Sequence, residues 1–403
     1  MAGAQGSEQA GTAGSMPRAR FVLRPLAFRQ LRAFSLVAIL LLIWLGFQFL
    51  THGLFLSPRN LTTLTIQVAV TAMLAAGIVM LMVPGYIDLS IGSATAFTGM
   101  VAALLIDPAR GIGLTSDPGT VILLTLLAGA LIGAWQGFWI AWMEVPAFIV
   151  TLASLLALRG AALTVTGGST ASHHGVLLFL AADFLPARWT MIVLVLAVLL
   201  FGVTKYIDWR ARAASAQWRA GLFSSVVGFP LATMVICAAV VGFVAFSYRG
   251  TPLPVAILAG VLGISTFIMS RTVFGRRLYA IGGNPAAAVY AGIDTKRYCF
   301  IVFTLMGLLY GLAGLIFDAR IGVALPTAGT GLELTVIAAA VIGGTSLFGG
   351  TGTPIGAVIG ALLLESLNNG MGLMNIESSF QLIVNGLVLL IAVYFDIRSR
   401  KTL

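Results

Sequence analysis

Long apolar runs constrain this chain more than any other sequence feature. Twelve stretches are long and apolar enough to cross about 30 Å of hydrocarbon as helices. With 59% hydrophobic and only 9% charged residues, the composition excludes a water-soluble fold, a disordered chain and a nucleic-acid binder. We therefore predict an all-α, polytopic helical membrane protein with about 12 transmembrane segments. The apolar stretches lie near 33–51, 61–83, 89–106, 120–143, 147–166, 189–206, 222–247, 254–270, 299–317, 332–348, 354–370 and 380–395.

The distribution of Lys and Arg predicts the orientation of these segments. If the N-terminus is cytoplasmic and the segments alternate, the inside regions carry 17 of the 23 basic residues and the outside loops carry five. This bias agrees with the positive-inside rule and assigns both termini to the cytoplasm. We predict a disordered N-terminal tail at 1–17, a basic interfacial segment at 18–32, a transmembrane domain at 33–396 and a basic C-terminal tail at 397–403.

Two stretches rich in Gly, Pro, Ser and Thr interrupt the apolar pattern, near 84–92 and 343–354. Neither contains Lys or Arg, which a cytoplasmic turn usually carries. Unwound backbone at membrane depth is tolerated only where protein or a water-filled cavity surrounds it, and paired interruptions point to a transport pathway. We therefore predict discontinuous helices at both places. The alternative is a pair of tight turns between helices.

Asp88 lies in the first interruption and is one of very few acids in apolar surroundings, together with Glu365. A buried acid in a membrane is costly, so it marks a candidate functional site. Its carboxylate can accept hydrogen bonds from substrate hydroxyls. Alternatively, Asp88 or its neighbour Ser90 caps the helix that starts there. The sequence leaves both interpretations open.

The loop at 271–298 carries the strongest local signal. Asn284 is a preferred N-cap residue, Pro285 suits the first helical position, and Gly292 suits the position after a helix end. These residues predict a short capped helix over 284–291 in an inside loop. Because so short a helix is not stable alone, it suggests a docking element for another protein. A basic loop that rests on anionic lipid is the alternative.

Five short motifs, named below in chain order, resemble those of the ribose/xylose-type sugar permeases of bacterial ABC importers. The resemblance extends from about residue 60 to the C-terminus. This chain departs from the ribose-type pattern at Tyr86, where relatives usually carry a second Gly. About two extra spans near 189–247 resemble the xylose branch. The motifs are Gly85-Tyr86-Ile87-Asp88-Leu89-Ser90-Ile91-Gly92, Gly282-Gly283-Asn284-Pro285, Pro326-Thr327-Ala328-Gly329 with Glu333, Gly343-Gly344-Thr345-Ser346-Leu347 with Gly349-Gly350, and Leu367-Asn368-Asn369-Gly370.

The resemblance implies a permease subunit that carries a monosaccharide, best a pentose such as xylose, across the bacterial inner membrane. It implies two paired permease subunits, ABC ATPase subunits that dock from the cytoplasm, and a periplasmic sugar-binding protein. It assigns no covalent chemistry, cofactor or metal to this chain. The implied substrate pathway contains Tyr86, Asp88, Ser90, Thr345, Ser346, Asn368 and Asn369, and the implied ATPase-coupling residues are Arg276, Arg277, Gly282, Gly283, Asn284, Pro285, Ala287 and Gly292.

Four arginines in predicted outside loops form a further candidate group: Arg59, Arg188, Arg249 and Arg320. The positive-inside rule keeps such loops poor in Arg. We therefore expect these residues to steer and orient an acidic binding protein. The alternative is that each Arg snorkels to the lipid headgroups.

The chain contains no G-x-x-x-x-G-K-[ST] phosphate-binding loop, so any nucleotide that drives transport must bind another chain. An ion-coupled secondary sugar transporter is the alternative function. Asp88, Glu365 and Arg159 are few groups for a proton relay, which disfavours that alternative. A membrane-embedded enzyme is weaker still, because no pair of carboxylates or nucleophile with a base is visible. The sequence does not choose among individual sugars or polyols.

Overall fold

The computed structural model describes residues 23–401, apart from 110, 173–174, 187, 193, 196–197, 200–201, 204–205, 207–209, 211–241 and 243–249. Helices dominate the described part, and short strands pair in its loops. The helices are α1 Leu23–Leu50, α2 Pro58–Met82, α3 Ile91–Ile106, α4 Pro118–Ala141, α5 Ala147–Thr166, α6 Phe179–Ala182, α7 Leu253–Arg271, α8 Val273–Gly283, α9 Pro285–Tyr290, α10 Thr295–Ile321, α11 Leu332–Ile342, α12 Pro354–Leu373 and α13 Ser378–Lys401. The strands are β1 Ala171–Ser172, β2 Phe184–Leu185, β3 Thr251–Pro252 and β4 Val323–Ala324.

Helices α2, α4, α9 and α12 each begin with a polar cap residue followed by proline. The cap side chain accepts a hydrogen bond from the backbone N–H three residues later. The donor–acceptor distance is 3.4 Å for Ser57, 2.8 Å for Asp117, 3.0 Å for Asn284 and 3.2 Å for Thr353. Proline suits the next position because its missing N–H needs no partner in the first turn. The same local signal therefore starts three long helices and one short one.

Helix α2 forms the centre of the packed core. Every residue from Val68 to Val83 is buried, and α7, α10, α11 and α12 pack around the helix. Helices α4 and α10 approach each other closely because Gly129 and Gly307 face each other. A Cβ on either glycine would overlap with the carbonyl oxygen of the other, so only glycine allows this backbone contact.

Two helices that lie at predicted spans are too short to cross the bilayer alone. Helix α3 has 16 residues and α11 has 11, whereas a span needs about 20. Helix α3 follows the non-helical residues 83–90, and α11 follows the loop 322–331, which contains β4. The N-terminal ends of the two helices meet, because Gly92 packs directly against the carbonyl group of Gly329.

Arg159, in the middle of α5, binds the loop that precedes α11. Its Nη1 atom donates hydrogen bonds of 2.7 Å to the carbonyl oxygen of Pro326 and 2.8 Å to that of Ala328. Irregular backbone in a membrane protein needs such internal partners. Arg159, which the sequence assigns to a span, thus has a structural role in holding non-helical chain.

Both predicted interruptions are present, as non-helical residues 83–90 and 343–353. The predicted span 332–348 is wrong at its end, because α11 stops at Ile342 and Gly344 adopts a φ of +95° that no helix continues. Residues 343–353 contact the 271–298 loop, since the Tyr279 hydroxyl donates to the Gly352 carbonyl at 2.6 Å. Residues 343–353 therefore form a turn between α11 and α12 at this contact, which is the alternative given for this stretch in the sequence analysis. The loop 322–331 lies where the sequence predicts an outside loop, between the spans 299–317 and 332–348.

Loops that the sequence assigns to one side of the membrane lie together in the structure. Strand β1 pairs with β4 and β2 pairs with β3, and all four strands lie in predicted outside loops. Predicted inside loops meet elsewhere, where Lys296 contacts Glu144 and Tyr279 contacts Gly352. We call these regions the outer end and the inner end. These contacts agree with the predicted sides of the loops involved, and the sides of the two termini stay a prediction.

Five described helices, α2, α4, α5, α7 and α10, are long and apolar enough to cross a membrane. The coarse prediction of a helical membrane protein agrees with this finding, and the number of about 12 spans stays a prediction. Helix α1 runs continuously from Leu23 to Leu50, so no helix boundary separates the predicted interfacial segment from the first span. The predicted tail at 1–17 lies outside the described residues, and the loop 207–221 and span 222–247 lie almost wholly outside them.

Candidate functional site

A polar cavity of about 630 Å³ lies at the outer end, between α2, α10, α11, α12 and α13. Its α2 lining runs from Arg59 to Thr71, which is about 18 Å of helix and more than half the hydrocarbon thickness. At the deep end, the Thr71 hydroxyl donates to Oε1 of Glu365 on α12 at 2.5 Å. Arg320 of α10 lines the same space, with its guanidinium carbon 5.1 Å from the ring centre of Phe317. An acid, arginines, hydroxyls and an aromatic ring thus share one cavity.

Three amides form a hydrogen-bonded ladder along the cavity wall, between α2 and α12. Asn60 Nδ2 donates to Asn369 Oδ1 at 2.8 Å, and Asn369 Nδ2 donates to Gln67 Oε1 at 3.3 Å. The neighbouring Asn368 accepts a hydrogen bond of 3.0 Å from Nδ2 of Asn385 on α13. A side-chain amide has two donors and two acceptor sites, so the ladder leaves directional groups that a ligand can use.

Asp88 lies in a separate, fully buried cluster. Its Oδ1 accepts from the N–H and from the hydroxyl of Ser90, both at 2.7 Å, and the Tyr310 hydroxyl donates to its Oδ2. Gln136 Nε2 donates to Ser90 Oγ at 2.7 Å. The Ser90 side chain caps no N–H of α3, and Asp88 accepts from the N–H of Ser90, the residue that precedes α3. The role of Asp88 in the substrate pathway stays a prediction.

Three parts of the chain meet at the inner end, at a contact that we call the inner junction: Val83, Gly282 and Gly350. The Gly350 N–H donates a hydrogen bond of 2.8 Å to the Val83 carbonyl oxygen, which joins the two non-helical segments. Gly282, at the end of α8, packs so tightly here that a Cβ would overlap with the same oxygen. The end of α8 therefore contacts both segments at once.

The predicted short helix is present as α9, Pro285–Tyr290, one residue shorter at each end than predicted. Asn284 Oδ1 accepts from the Ala287 N–H at 3.0 Å, and Pro285 occupies the first turn. Gly292 follows the helix end with a φ of +76°, which favours glycine. The cap, proline and glycine signals of the sequence are therefore confirmed in the local geometry.

The surface around α9 combines apolar and basic side chains. Val289 is 57% exposed and Tyr290 is 92% exposed. Arg276 is exposed on α8, and Arg277 Nη1 donates to the Tyr298 hydroxyl at 2.8 Å. Exposed large apolar groups next to positive charge are typical of a protein-binding surface.

Glu144 connects the turn between α4 and α5 to this inner surface. Its Oε1 lies 2.6 Å from Nζ of Lys296, and both side chains are exposed. The hydrogen bond from the Lys296 ammonium, with its charge, lowers the pKa of Glu144 below its usual range. The pair is exposed, so it orients two loops and contributes little to stability.

The structure does not bring the predicted pathway residues to one place. Some line the outer cavity, some are buried in the core, and others lie in the turn at the inner end. Asn368 and Asn369 line the cavity, Asp88 and Ser90 form the buried cluster, Thr345 and Ser346 are buried in the 343–353 turn, and the ring of Tyr86 lies 5.9 Å from that of Phe303.

The sequence prediction of the pathway omitted Gln67, Thr71 and Glu365, which all line the cavity. Glu365 was noted only as an acid in apolar sequence. The available signal was a stripe of polar residues on the first half of α2, at Asn60, Thr63, Gln67 and Thr71. That three- and four-residue spacing puts them on one helix face.

The four arginines of the predicted outside loops do not form one group in the structure. Arg59 and Arg320 are exposed and line the cavity. Arg188 is exposed and follows β2, and it is not among the cavity-lining residues. Arg249 lies outside the described residues.

Comparisons with known proteins find permease components of transport systems. The model of the family described as "Branched-chain amino acid transport system / permease component" matches residues 60–393. The chain is 39% identical to the xylose transport system permease protein XylH of Escherichia coli (strain K12), over 92% of this chain and 93% of that protein. It is 37% identical to XylH of Haemophilus influenzae, over 92% of this chain and 98% of that protein. It is 35% identical to the ribose import permease protein RbsC of Escherichia coli (strain K12), over 90% and 92%.

No solved structure matches the chain significantly. The sequence-based resemblance to ribose- and xylose-type permeases is confirmed by the family and by these relatives.

Proposed function

Because this chain belongs to the family described as branched-chain amino acid transport system / permease component, we propose that it is the membrane-spanning permease subunit of an ATP-driven sugar importer. ATP hydrolysis takes place in a separate ATPase subunit, so the chain is a transporter subunit and not an enzyme. We assign it to the bacterial inner membrane as a multi-pass protein. The observation that carries this proposal is similarity to xylose permeases over 92% of the chain.

The transported substrate is a monosaccharide, and D-xylose is the first candidate. Two relatives are named as xylose permeases and one as a ribose permease, and the xylose permeases have the higher identities of 39% and 37%. Xylose and ribose are both pentoses, so a pentose accounts for both similarities.

The ATPase subunit binds the inner surface around α9. In support, α9 is a capped helix that exposes Val289 and Tyr290, and Arg276 and Arg277 of the neighbouring α8 add positive charge. Gly282 links the end of α8 to both non-helical segments at the inner junction. A movement imposed on α9 by the ATPase therefore acts directly on those segments.

A periplasmic sugar-binding protein delivers the substrate to the outer end. Arg59, Arg188 and Arg320 are exposed there and supply positive charge for docking, together with Arg249. Two copies of this permease pair in the membrane, as the resemblance to ribose- and xylose-type permeases implies.

Transport proceeds by switching between two conformations, one open to each side. In the conformation described, Asp88, Ser90, Thr345 and Ser346 are fully buried. They become part of the substrate pathway when the segments 83–90 and 343–353 separate at the inner junction. The hydrogen bonds of Asp88 hold the first segment closed until then.

Reconstitution tests this function. The permease is assembled in nanodiscs with a candidate ABC ATPase, and ATP hydrolysis is measured with the binding protein loaded with D-xylose, with D-ribose or left empty. We expect the xylose-loaded protein to stimulate hydrolysis most. Failure of the ATPase to assemble with this chain would contradict the proposal. A rate of ATP hydrolysis that is the same with loaded and with empty binding protein would also contradict it.

A further inference from the structure

We propose that the polar cavity between α2, α10, α11, α12 and α13 is an outward-facing binding station for a monosaccharide, with Glu365 as its principal acceptor of sugar hydroxyl groups. This inference rests on the proposed function, because it names the groups that hold the transported sugar partway through the membrane.

The shape of the cavity fits a station that faces outward. Its lining starts at the exposed Arg59 and ends at Thr71 and Glu365. Beyond that point α2 is buried on all sides as far as Val83, so the space is closed towards the inner end. Its volume of about 630 Å³ has room for a sugar ring and several water molecules, and it lies within the usual size range of small-molecule sites.

The chemistry of the lining fits a neutral polyhydroxyl compound. Each sugar hydroxyl is both a donor and an acceptor, and the Asn60–Asn369–Gln67 ladder offers both kinds of partner. The apolar face of a sugar ring can pack on the Phe317 ring, which lines the same cavity. The lining therefore matches a sugar better than it matches an apolar molecule, which would leave these polar groups unpaired.

Glu365 is the group that points most directly to a ligand. A carboxylate within a membrane helix is retained only where partners compensate its desolvation. Thr71 donates to one oxygen, Asn368 lies within side-chain hydrogen-bonding reach, and the charge of Arg320 interacts with the group. A carboxylate has about four acceptor sites, so capacity remains for hydroxyl groups of a ligand. Charge-assisted hydrogen bonds of this kind are about twice as strong as neutral ones.

Cysteine labelling tests the site without ATP or transport. Thr63 lines the cavity, is exposed, and bonds only along its own helix, to the Arg59 carbonyl, among the contacts described. In the assembled complex, with Cys237 and Cys299 replaced, Thr63→Cys is treated from outside with a membrane-impermeant maleimide. We expect D-xylose to slow this labelling several-fold, and an equal concentration of L-proline to leave it unchanged.

Ser169→Cys is the matched control, because Ser169 is an exposed residue of an outer loop and does not line the cavity. Its labelling should not respond to D-xylose. Equal labelling of Thr63→Cys with and without D-xylose would overturn the proposal, as would protection by inorganic phosphate but not by the sugar.

Glu365→Gln gives a second measurement, in which the amide oxygen can still accept from Thr71. We expect D-xylose uptake per ATP hydrolysed to fall about tenfold, because a neutral acceptor replaces a charged one. Glu377→Gln, at an exposed acid outside the cavity, should transport normally. Normal uptake by Glu365→Gln would overturn the role of this carboxylate. If the wild-type complex imports xylose while both cavity tests fail, the proposed function stands and only the station is wrong.

Discussion

Gly282 lies against the carbonyl oxygen of Val83 so closely that no methyl group fits between them. The same oxygen accepts the hydrogen bond from Gly350. The end of α8 thus packs against a hydrogen bond that joins both non-helical segments. Because α8 leads directly into the exposed helix α9, this contact connects α9 to both non-helical segments.

Gly282→Ala should uncouple ATP hydrolysis from sugar uptake. The added Cβ must displace α8 or break the bond between Gly350 and Val83, and overpacking of this kind costs about 1–3 kcal/mol. The measurement is D-xylose uptake and ATP hydrolysis by the same proteoliposomes. We expect hydrolysis to continue while uptake falls.

Gly263→Ala is the control for that variant. Gly263 lies within α7, and a Cβ there would have no atom within 4 Å. It should behave as the wild type. If both alanine variants transport equally well, the inner junction does not transmit the movement.

Ala287→Asp should prevent stable binding of the ATPase. Ala287 is exposed near the start of α9, where a negative charge favours the helix dipole, so the helix itself is not weakened. The charge instead enters the proposed contact surface. Co-purification of the ATPase with the tagged permease measures the effect, and Ala287→Ser is the neutral control. Full recovery of a stimulated ATPase with Ala287→Asp would count against this surface.

Tyr310→Phe should destabilise the permease, because Tyr310 donates to the fully buried carboxylate of Asp88. Loss of that donor leaves a buried acceptor without one of its partners, which costs about 1–3 kcal/mol of the free energy of unfolding. The thermal unfolding midpoint in detergent reports the change. Tyr290→Phe, at a side chain that is 92% exposed, should leave the midpoint unchanged. Equal midpoints for the two variants would show that the hydrogen bond is not stabilising.

Arg188 and Arg249 should speed capture of the binding protein. Changing both to Gln is expected to lower the association rate at low salt by about tenfold and to flatten its salt dependence, since electrostatic steering acts on encounter. Steering acts on the encounter with the binding protein, and the described Arg188 does not line the cavity, so basal ATP hydrolysis should not change. Surface-immobilised nanodiscs at two salt concentrations give the rates. An unchanged rate and salt slope would instead indicate that these arginines contact lipid.

Signals confined to a few neighbouring residues predicted local structure well. Asn284, Pro285 and Gly292 specify α9 almost to the residue, because capping and φ preferences act within one helix turn. The interruption at 83–90 was predicted from the same kind of signal. The sequence predicts a loop around 322–331 but not what holds it, because its partners β1 and Arg159 are distant along the chain.

The cavity could not be predicted from local sequence. Asn60 and Asn369 are separated by 309 positions, and their hydrogen bond exists only because α2 and α12 pack side by side. In the sequence, only the polar face of α2 and the isolated acid Glu365 indicate the cavity. Residues from the sequence motifs, such as Asp88 and Ser90, lie instead in a buried cluster, since a motif does not reveal which face its side chains occupy.

Uptake by proteoliposomes tests the central claim most directly. The purified permease is reconstituted alone, and with its ATPase and binding protein, and radiolabelled D-xylose is supplied on the binding-protein side. The account predicts accumulation only in the complete system with ATP, unaffected when an uncoupler removes the proton gradient. Accumulation by the permease alone, driven by a pH or sodium gradient, would contradict it and would instead indicate an ion-coupled secondary transporter.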